Sequence, residues 1–261
     1  MIIGLASLNQ HWEDKVANLE CCENLIKTAK AKQVDLIIFP EMTLTGFSMN
    51  VAKIVEKTNQ SPTVAFFQSL AQKYGISIIF GVVFEKRPKA GNFAIFIDKK
   101  GRILAKYQKI HPFSYSGEDL LFNSGRKIVV APFDAFSIGL TICYDLRFPE
   151  LYSALSRNSD LIVNIANWPA KRVDHWTTLL QARAIENQVF IAGVNRTGVD
   201  GNGIEYQKSS IVVGPNGEKT VPSYSEEELD VFSINPQEIS EYKSKFSTTQ
   251  DRRPKFYKSI L

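Results

Sequence analysis

No apolar run in the chain approaches the ~18 residues that suggest a membrane-spanning helix, so no membrane association is expected. The opening Met1-Ile2-Ile3-Gly4-Leu5-Ala6 lacks a basic stretch and leads straight into polar residues, so it reads as a first strand rather than a secretion signal. Cysteine is scarce and odd in number, three in all, with Cys21 and Cys22 adjacent. That is no disulfide framework, and it points to a reducing compartment, the cytoplasm. Asn195-Arg196-Thr197 then matches a glycosylation acceptor by chance. Histidine is also scarce, and no His-x-x-Glu-His or Cys-x-x-Cys spacing offers a metal site. Gly198, Gly201 and Gly203 sit in a turn-rich loop and not at a strand-to-helix junction, so no dinucleotide cofactor is expected. The excess of one charge sign is small: 31 basic against 27 acidic residues, a net +4. No basic stripe suggests a nucleic-acid partner, and the surplus is enough only for weak attraction of small anions.

What is present is an ordinary globular composition, 44% hydrophobic and 22% charged over 261 residues. Such a chain buries a large core without disulfides or metals, and an α/β domain of this size is commonly a single one, here 1–261. Apolar runs alternate with amphipathic stretches. Strands are expected at Ile2–Leu8, Leu36–Phe39, Ile76–Phe84, Phe93–Asp98, Arg102–Tyr107, Lys127–Ala131, Phe136–Ile142, Leu161–Ile165, Phe190–Asn195, Ser209–Gly214 and Asp230–Ile234. Helices are expected at Glu13 to Lys32, Ser61 to Tyr74, Pro149 to Arg157, Asp174–Gln188 and Pro236 to Lys245. Ser61 is a candidate N-cap, Pro62 fits the first turn and Gly75 a left-handed end. From Asp251 to Leu261 no period is visible, which reads as a tail. About a dozen strands is many for one sheet. Two mixed sheets face to face with helices outside, a four-layer α-β-β-α sandwich, accommodate them better.

Several residues sit where chemistry is possible. Glu41 follows the apolar run Asp35–Phe39 and Pro40, which ends the strand, placing a carboxylate at the C-terminal edge where α/β sheets bind ligands. Taken alone it equally suits a solvated loop. Cys143 ends the run Phe136–Ile142 just before a proline-opened helix, and the next backbone N–H, from Tyr144, can point at a developing oxyanion. Free cysteines are more often buried and inert, which is the reading given to Cys21 and Cys22. Lys109 follows another strand, and Glu118 lies in a loop beyond it. Neither is remarkable singly.

Together these segments resemble the nitrilase, or carbon–nitrogen hydrolase, superfamily. The resemblance rests on Pro40-Glu41-Met42, Lys109-Ile110-His111-Pro112-Phe113 and Cys143-Tyr144-Asp145-Leu146-Arg147-Phe148-Pro149-Glu150, supported by Asn167-Trp168-Pro169, His175-Trp176 and Ala182–Gln188. It implies a Glu41–Lys109–Cys143 catalytic set, with Glu118 positioning the lysine. It also implies the four-layer fold, no cofactor and a homodimer to which the 246–261 tail contributes. Among known members the motifs look most similar to those of bacterial ω-amidases, which hydrolyse the terminal amide of 2-oxoglutaramate or 2-oxosuccinamate.

The chemistry suits these residue types. An unperturbed thiol near 8.5 and carboxylate near 4.3 exchange protons poorly. Burial raises the carboxylate and a nearby ammonium favours the thiolate. Glu41 would then act as general base, Cys143 as nucleophile, and Lys109 with the Tyr144 N–H would hold the oxyanion. A substrate carboxylate needs a cation. Arg147 is the nearest in sequence, unless it pairs with Asp145 or Glu150, and Lys171 and Arg172 are further candidates. Phe47, Tyr144 and Trp168 are candidate pocket walls. A papain-like pairing would need His11, His111 or His175, and the last lies on a helix where a structural role is expected. The competing readings are a carbamoylase, a small aliphatic amidase or nitrilase, and a catalytically silent binding or scaffold protein.

Overall fold

The structure, a computed structural model, describes residues 1–260; Leu261, the end of the expected tail, lies outside the described residues. In chain order the strands are β1 (Ile2–Ala6), β2 (Leu36–Ile38), β3 (Ser77–Lys86), β4 (Lys89–Ile97), β5 (Ile103–Gln108), β6 (Val130–Phe133), β7 (Phe136–Ile142), β8 (Leu161–Ala166), β9 (Phe190–Asn195), β10 (Gly198–Val199), β11 (Glu205–Tyr206), β12 (Ile211–Val213), β13 (Tyr224–Ser225) and β14 (Leu229–Ser233). The helices are α1 (Lys15–Ala31), α2 (Val51–Ile54), α3 (Pro62–Tyr74), α4 (Glu118–Leu121), α5 (Pro149–Leu155), α6 (Val173–Asn187), α7 (Gln237–Lys245) and α8 (Pro254–Ile260).

Local chemistry sets the helix ends. At α3 the Ser61 side chain accepts from Val64 N–H at 3.1 Å, Pro62 opens the helix, and Gly75 closes it at φ +60°. At α1 the cap is Asp14, and the helix starts at Lys15 because Glu13 is itself left-handed at φ +54°.

Two mixed sheets carry the fold, ordered β13-β14-β1-β2-β3-β4-β5 and β12-β9-β8-β7-β6. Each has a parallel centre, β1-β2-β3 and β7-β8-β9, flanked by antiparallel strands. Their inner faces share one apolar layer containing Ile3, Leu5, Phe96, Leu140, Val163 and Phe190. Period-two alternation decides the facing on β7. Ile138, Leu140 and Ile142 enter that layer, while Thr141 turns outward to the Tyr152 hydroxyl on α5, at 2.8 Å. Helices α1 and α3 cover the outer face of the first sheet, with Phe67 stacked on Phe80 at 4.2 Å. Helices α5 and α6 cover the second around Tyr152, Trp176 and Leu180. The four-layer α-β-β-α sandwich expected from the sequence is the observed architecture.

Some local expectations fail. The segment after Lys245 is not a featureless tail: it forms a 3-10 turn at Thr249–Asp251 and then α8. Arg252 anchors it to its own chain, donating to Glu186 O at 2.7 Å and Asn187 Oδ1 at 2.9 Å. A seven-residue helix is too short to show a period in sequence. The glycine-rich loop holds a short ribbon, β10 with β11, whose turn is closed by the Asp200 carboxylate accepting from Asn202 and Ile204 N–H. Asn195 is fully buried, donating to Trp168 O and Ser209 Oγ, so it is not an accessible glycan acceptor in this fold.

Because β3 and β5 run the same way, as both are antiparallel to β4, the ends of β2 and β5 open toward one edge. The ends of β7 and β8 reach the same place from the other sheet, as the contacts between Glu41 and Asn167 show.

Candidate active site

Glu41 sits on a tight turn after β2. The Gln10 side-chain amide donates toward the Glu41, Met42 and Thr43 carbonyls at 3.1, 3.0 and 3.1 Å. Met42 is left-handed at φ +46°, a strained state for a non-glycine residue. The turn lies so close on β3 that a Cβ at Gly81 would come within 2.2 Å of Met42 N. The Glu41 side chain is fully buried. Its Oε1 accepts from Lys109 Nζ and Asn92 Nδ2, both at 2.8 Å, and its Oε2 from Asn167 N–H at 3.1 Å. Burial pushes this carboxyl above the ordinary glutamate value, against the pull of Lys109 and with the help of Glu118.

Lys109 leaves the end of β5 with its ammonium between two carboxylates, 2.8 Å from Glu41 Oε1 and 2.8 Å from Glu118 Oε2. Glu118 opens α4 and also accepts from Phe113 N–H at 2.6 Å. All three side chains are buried. Burial alone would lower the lysine. Glu118 and Glu41, with Cys143 beside them, outweigh it and hold Lys109 above the ordinary lysine value.

Cys143 stands at the end of β7 at φ +46°, a sharp strand-to-turn elbow that projects its thiol from the sheet edge. The elbow is fastened by Cys143 N–H to Asn164 Oδ1 at 2.9 Å, and Sγ lies 3.9 Å from Asn167 O. Asp145, fully buried, ties this elbow to the lysine segment. It accepts from Tyr107 OH at 2.7 Å, Ile142 N–H at 3.0 Å and His111 N–H at 3.0 Å, with His111 Nδ1 at 2.8 Å. As expected, the Lys109 ammonium favours the Cys143 thiolate, but it is outweighed. Burial and the Glu41 carboxylate raise the Cys143 thiol well above its usual value despite Lys109. Burial is the largest cause, and the Glu41 and Glu118 carboxylates add to it.

Cys143 lines a pocket of about 990 Å³. Every residue expected at its walls is there: Phe47, Tyr144, Arg147, Trp168 and Lys171. Arg147 is not paired with Asp145 or Glu150. Asp145 is already saturated by the partners above, and the guanidinium lies 4.8 Å from the Trp168 ring centroid with Nη2 3.3 Å from His175 Nδ1. His175 is exposed on α6, and its ring touches the Arg147 guanidinium. Arg172 also lines the pocket, its guanidinium 5.7 Å from the Phe113 ring. Among the described residues none of Arg147, Lys171 and Arg172 has a carboxylate partner. Cys21 and Cys22 lie elsewhere, on α1, with both thiols raised by burial.

Sequence reasoning missed Asn92, Asn164, Gln10 and the buried role of Asp145. A signal existed for two of them: Asn92 and Asn164 are lone polar residues inside apolar strands, in Asn92-Phe93-Ala94-Ile95 and Leu161-Ile162-Val163-Asn164-Ile165. A buried polar side chain in such a run needs a partner.

The sequence model described as carbon-nitrogen hydrolase matches residues 2–244. The chain is 34% identical over 242 residues to the omega-amidase YafV of Escherichia coli strain K12, covering 92% of each. It is 30% identical over 231 residues to the 2-oxoglutaramate amidase of Bacillus subtilis strain 168, covering 87% of this chain and 88% of that protein. Among solved structures it is similar to XC1258 of Xanthomonas campestris, a CN-hydrolase superfamily protein with an arsenic adduct in its active site. That match has a TM-score of 0.90 and 31% identity, covering 97% of both chains. With fold, sequence profile and relatives in agreement, the chain belongs to the carbon-nitrogen hydrolase family.

Proposed function

We propose that this protein is an amidohydrolase of the ω-amidase type, releasing ammonia from the terminal amide of small monoamides such as 2-oxoglutaramate and 2-oxosuccinamate. One observation carries the reading. A buried carboxylate and ammonium, Glu41 and Lys109, 2.8 Å apart, adjoin a half-buried cysteine. That cysteine opens into a pocket with three cations and no acidic partners for them among the described residues.

In this mechanism Glu41 accepts the Cys143 proton as sulfur attacks the amide carbon. The raised thiol makes proton removal part of the attack rather than a prior step. The Lys109 ammonium and the Tyr144 N–H stabilise the tetrahedral oxyanion. Glu41 returns the proton to nitrogen, ammonia leaves, and a Cys143 thioester remains. Water, deprotonated by Glu41, then frees the acid and regenerates the thiol. Glu118 holds the ammonium in place. Arg147, with Lys171 and Arg172 nearby, receives the substrate's carboxylate; Phe47, Tyr144 and Trp168 wall its carbon chain. The resemblance extends the reading to a cytoplasmic homodimer, which a monomeric mass in solution at micromolar concentration would overturn.

The test is ammonia release from 2-oxoglutaramate, succinamate, glutamine, an N-carbamoyl amino acid and a simple nitrile, with Cys143→Ala alongside. Preference for the monoamide acids, lost in the variant, supports the reading. Exclusive use of the carbamoyl compound, with carbon dioxide released, would refute the substrate assignment. No turnover of any compound would favour a silent binding member of the family.

A further inference from the structure

Glu41 and Glu118 share one ammonium, which leaves the buried cluster an acceptor in excess. Asn92, on β4, supplies what is missing. Its side-chain amide donates to Glu41 Oε1 at 2.8 Å and to Glu118 Oε1 at 3.1 Å. Its backbone carbonyl accepts the Lys109 N–H at 2.9 Å, so the same residue fixes the lysine's main chain. The amide orientation is forced, because turning it over would set its carbonyl oxygen against two carboxylate oxygens. In the forced orientation Asn92 Oδ1 is buried with no hydrogen-bond partner. A buried acceptor without a donor is destabilising. Here the fold carries that penalty where two buried carboxylates need neutral donors.

We propose that Asn92 is a positioning residue that makes Glu41 Oε2 the proton-accepting oxygen of the site. Oε1 already takes two donors, Lys109 and Asn92, whereas Oε2 takes only the Asn167 N–H. A lone pair on Oε2 is left for the Cys143 proton. Lys109 Nζ reaches Glu41 Oε1 at 2.8 Å, Glu118 Oε2 at 2.8 Å and Glu118 Oε1 at 3.2 Å. The Asn92 amide also donates to that last oxygen, so the ammonium can yield its longest contact to the developing oxyanion. Asn92 itself acts only through Glu41, Glu118 and Lys109.

This inference rests on the amidase reading for its turnover assay, so a second readout independent of substrate is paired with it: the pH dependence of Cys143 alkylation by iodoacetamide, located by mass spectrometry. For Asn92→Ala we expect kcat to fall on the order of 100-fold, the low end of what a positioned base contributes, with KM changed less than about threefold. The acid limb of both turnover and alkylation should move to higher pH, since the carboxylate has lost a donor that favours its charged form. For Asn92→Asp, which keeps the volume, activity relative to wild type should rise as pH falls, when the new carboxyl protonates and can donate one hydrogen bond. If Asn92→Ala does not fold, this second profile decides. A folded variant whose acid limb stays at the wild-type position in both assays overturns the proposal. Should no amide be turned over while the alkylation limb still moves, the substrate reading fails and the role of Asn92 stands.

Discussion

Replacing Lys109 by methionine tests the charge account most directly. The substitution preserves length and removes the ammonium lying 2.8 Å from each of two buried carboxylates. Removing one partner of a buried ion pair leaves uncompensated charge and costs about 3–5 kcal/mol. Unfolding entropy of about 2.1 cal/mol/K per residue gives about 0.55 kcal/mol/K for 261 residues. The loss therefore corresponds to a Tm drop of roughly 5–10 °C at neutral pH. Lys109→Met/Glu118→Gln removes one charge of each sign and should regain most of that stability. Neither variant should release ammonia. The sign with pH is fixed as well. In Lys109→Met, Glu41, already raised by burial, loses the ammonium that pulls it down, so the fold is favoured below the unfolded pKa and loses stability as pH rises through the folded one. The Tm deficit should therefore shrink as pH falls toward 5. Thermal unfolding by calorimetry from pH 5 to 8 reads both effects. A single variant with unchanged Tm, or a double variant no more stable than the single, would refute the idea that charge balance holds this cluster together.

Three more outcomes are expected. Gly81→Ala should cut kcat/KM at least tenfold with a modest change in Tm, because its Cβ would meet Met42 N at 2.2 Å and push the Glu41 turn off β3; kinetics and a melting curve check this. The acid limb of kcat/KM should lie above the ordinary glutamate value of about 4.3, as burial raises Glu41 and only its ionised form accepts the thiol proton; a limb at or below that value would contradict the assigned base. Arg147→Ala should raise KM at least tenfold for a carboxylate-bearing monoamide, since charge-assisted bonds are the strong ones, and leave a neutral amide such as propionamide within about twofold; steady-state kinetics on the pair decides it.

The framework was readable because periodicity and strand ends are local properties. Apolar runs marked β2, β7 and β8, and Ser61, Pro62 and Gly75 marked α3 before any contact was known. The reactive groups were readable for a related reason, since Glu41, Lys109 and Cys143 each follow such a run directly. What lay beyond reach depends on pairing across the chain. Nothing near Asn92 in sequence says that it faces Glu41, 51 positions away, and nothing near Asp145 says that it faces Tyr107, 38 away. The net shift of the Cys143 thiol is out of reach for the same reason: burial and the distances to one ammonium and two carboxylates decide it, and spacing gives neither.

The site is divided between the two sheets: Glu41, Asn92 and Lys109 belong to one, and Cys143, Asn164 and Asn167 to the other. The apolar layer between them thus works as a spacer gauge as well as a core. Packed interiors resist compression and pass strain on, so a methyl lost from that layer alters the gap across which a proton must jump. Substitutions such as Leu140→Ala or Val163→Ala, far from substrate, would detune proton transfer along with stability, whereas equal losses in the outer layer beneath α1 would lower stability alone.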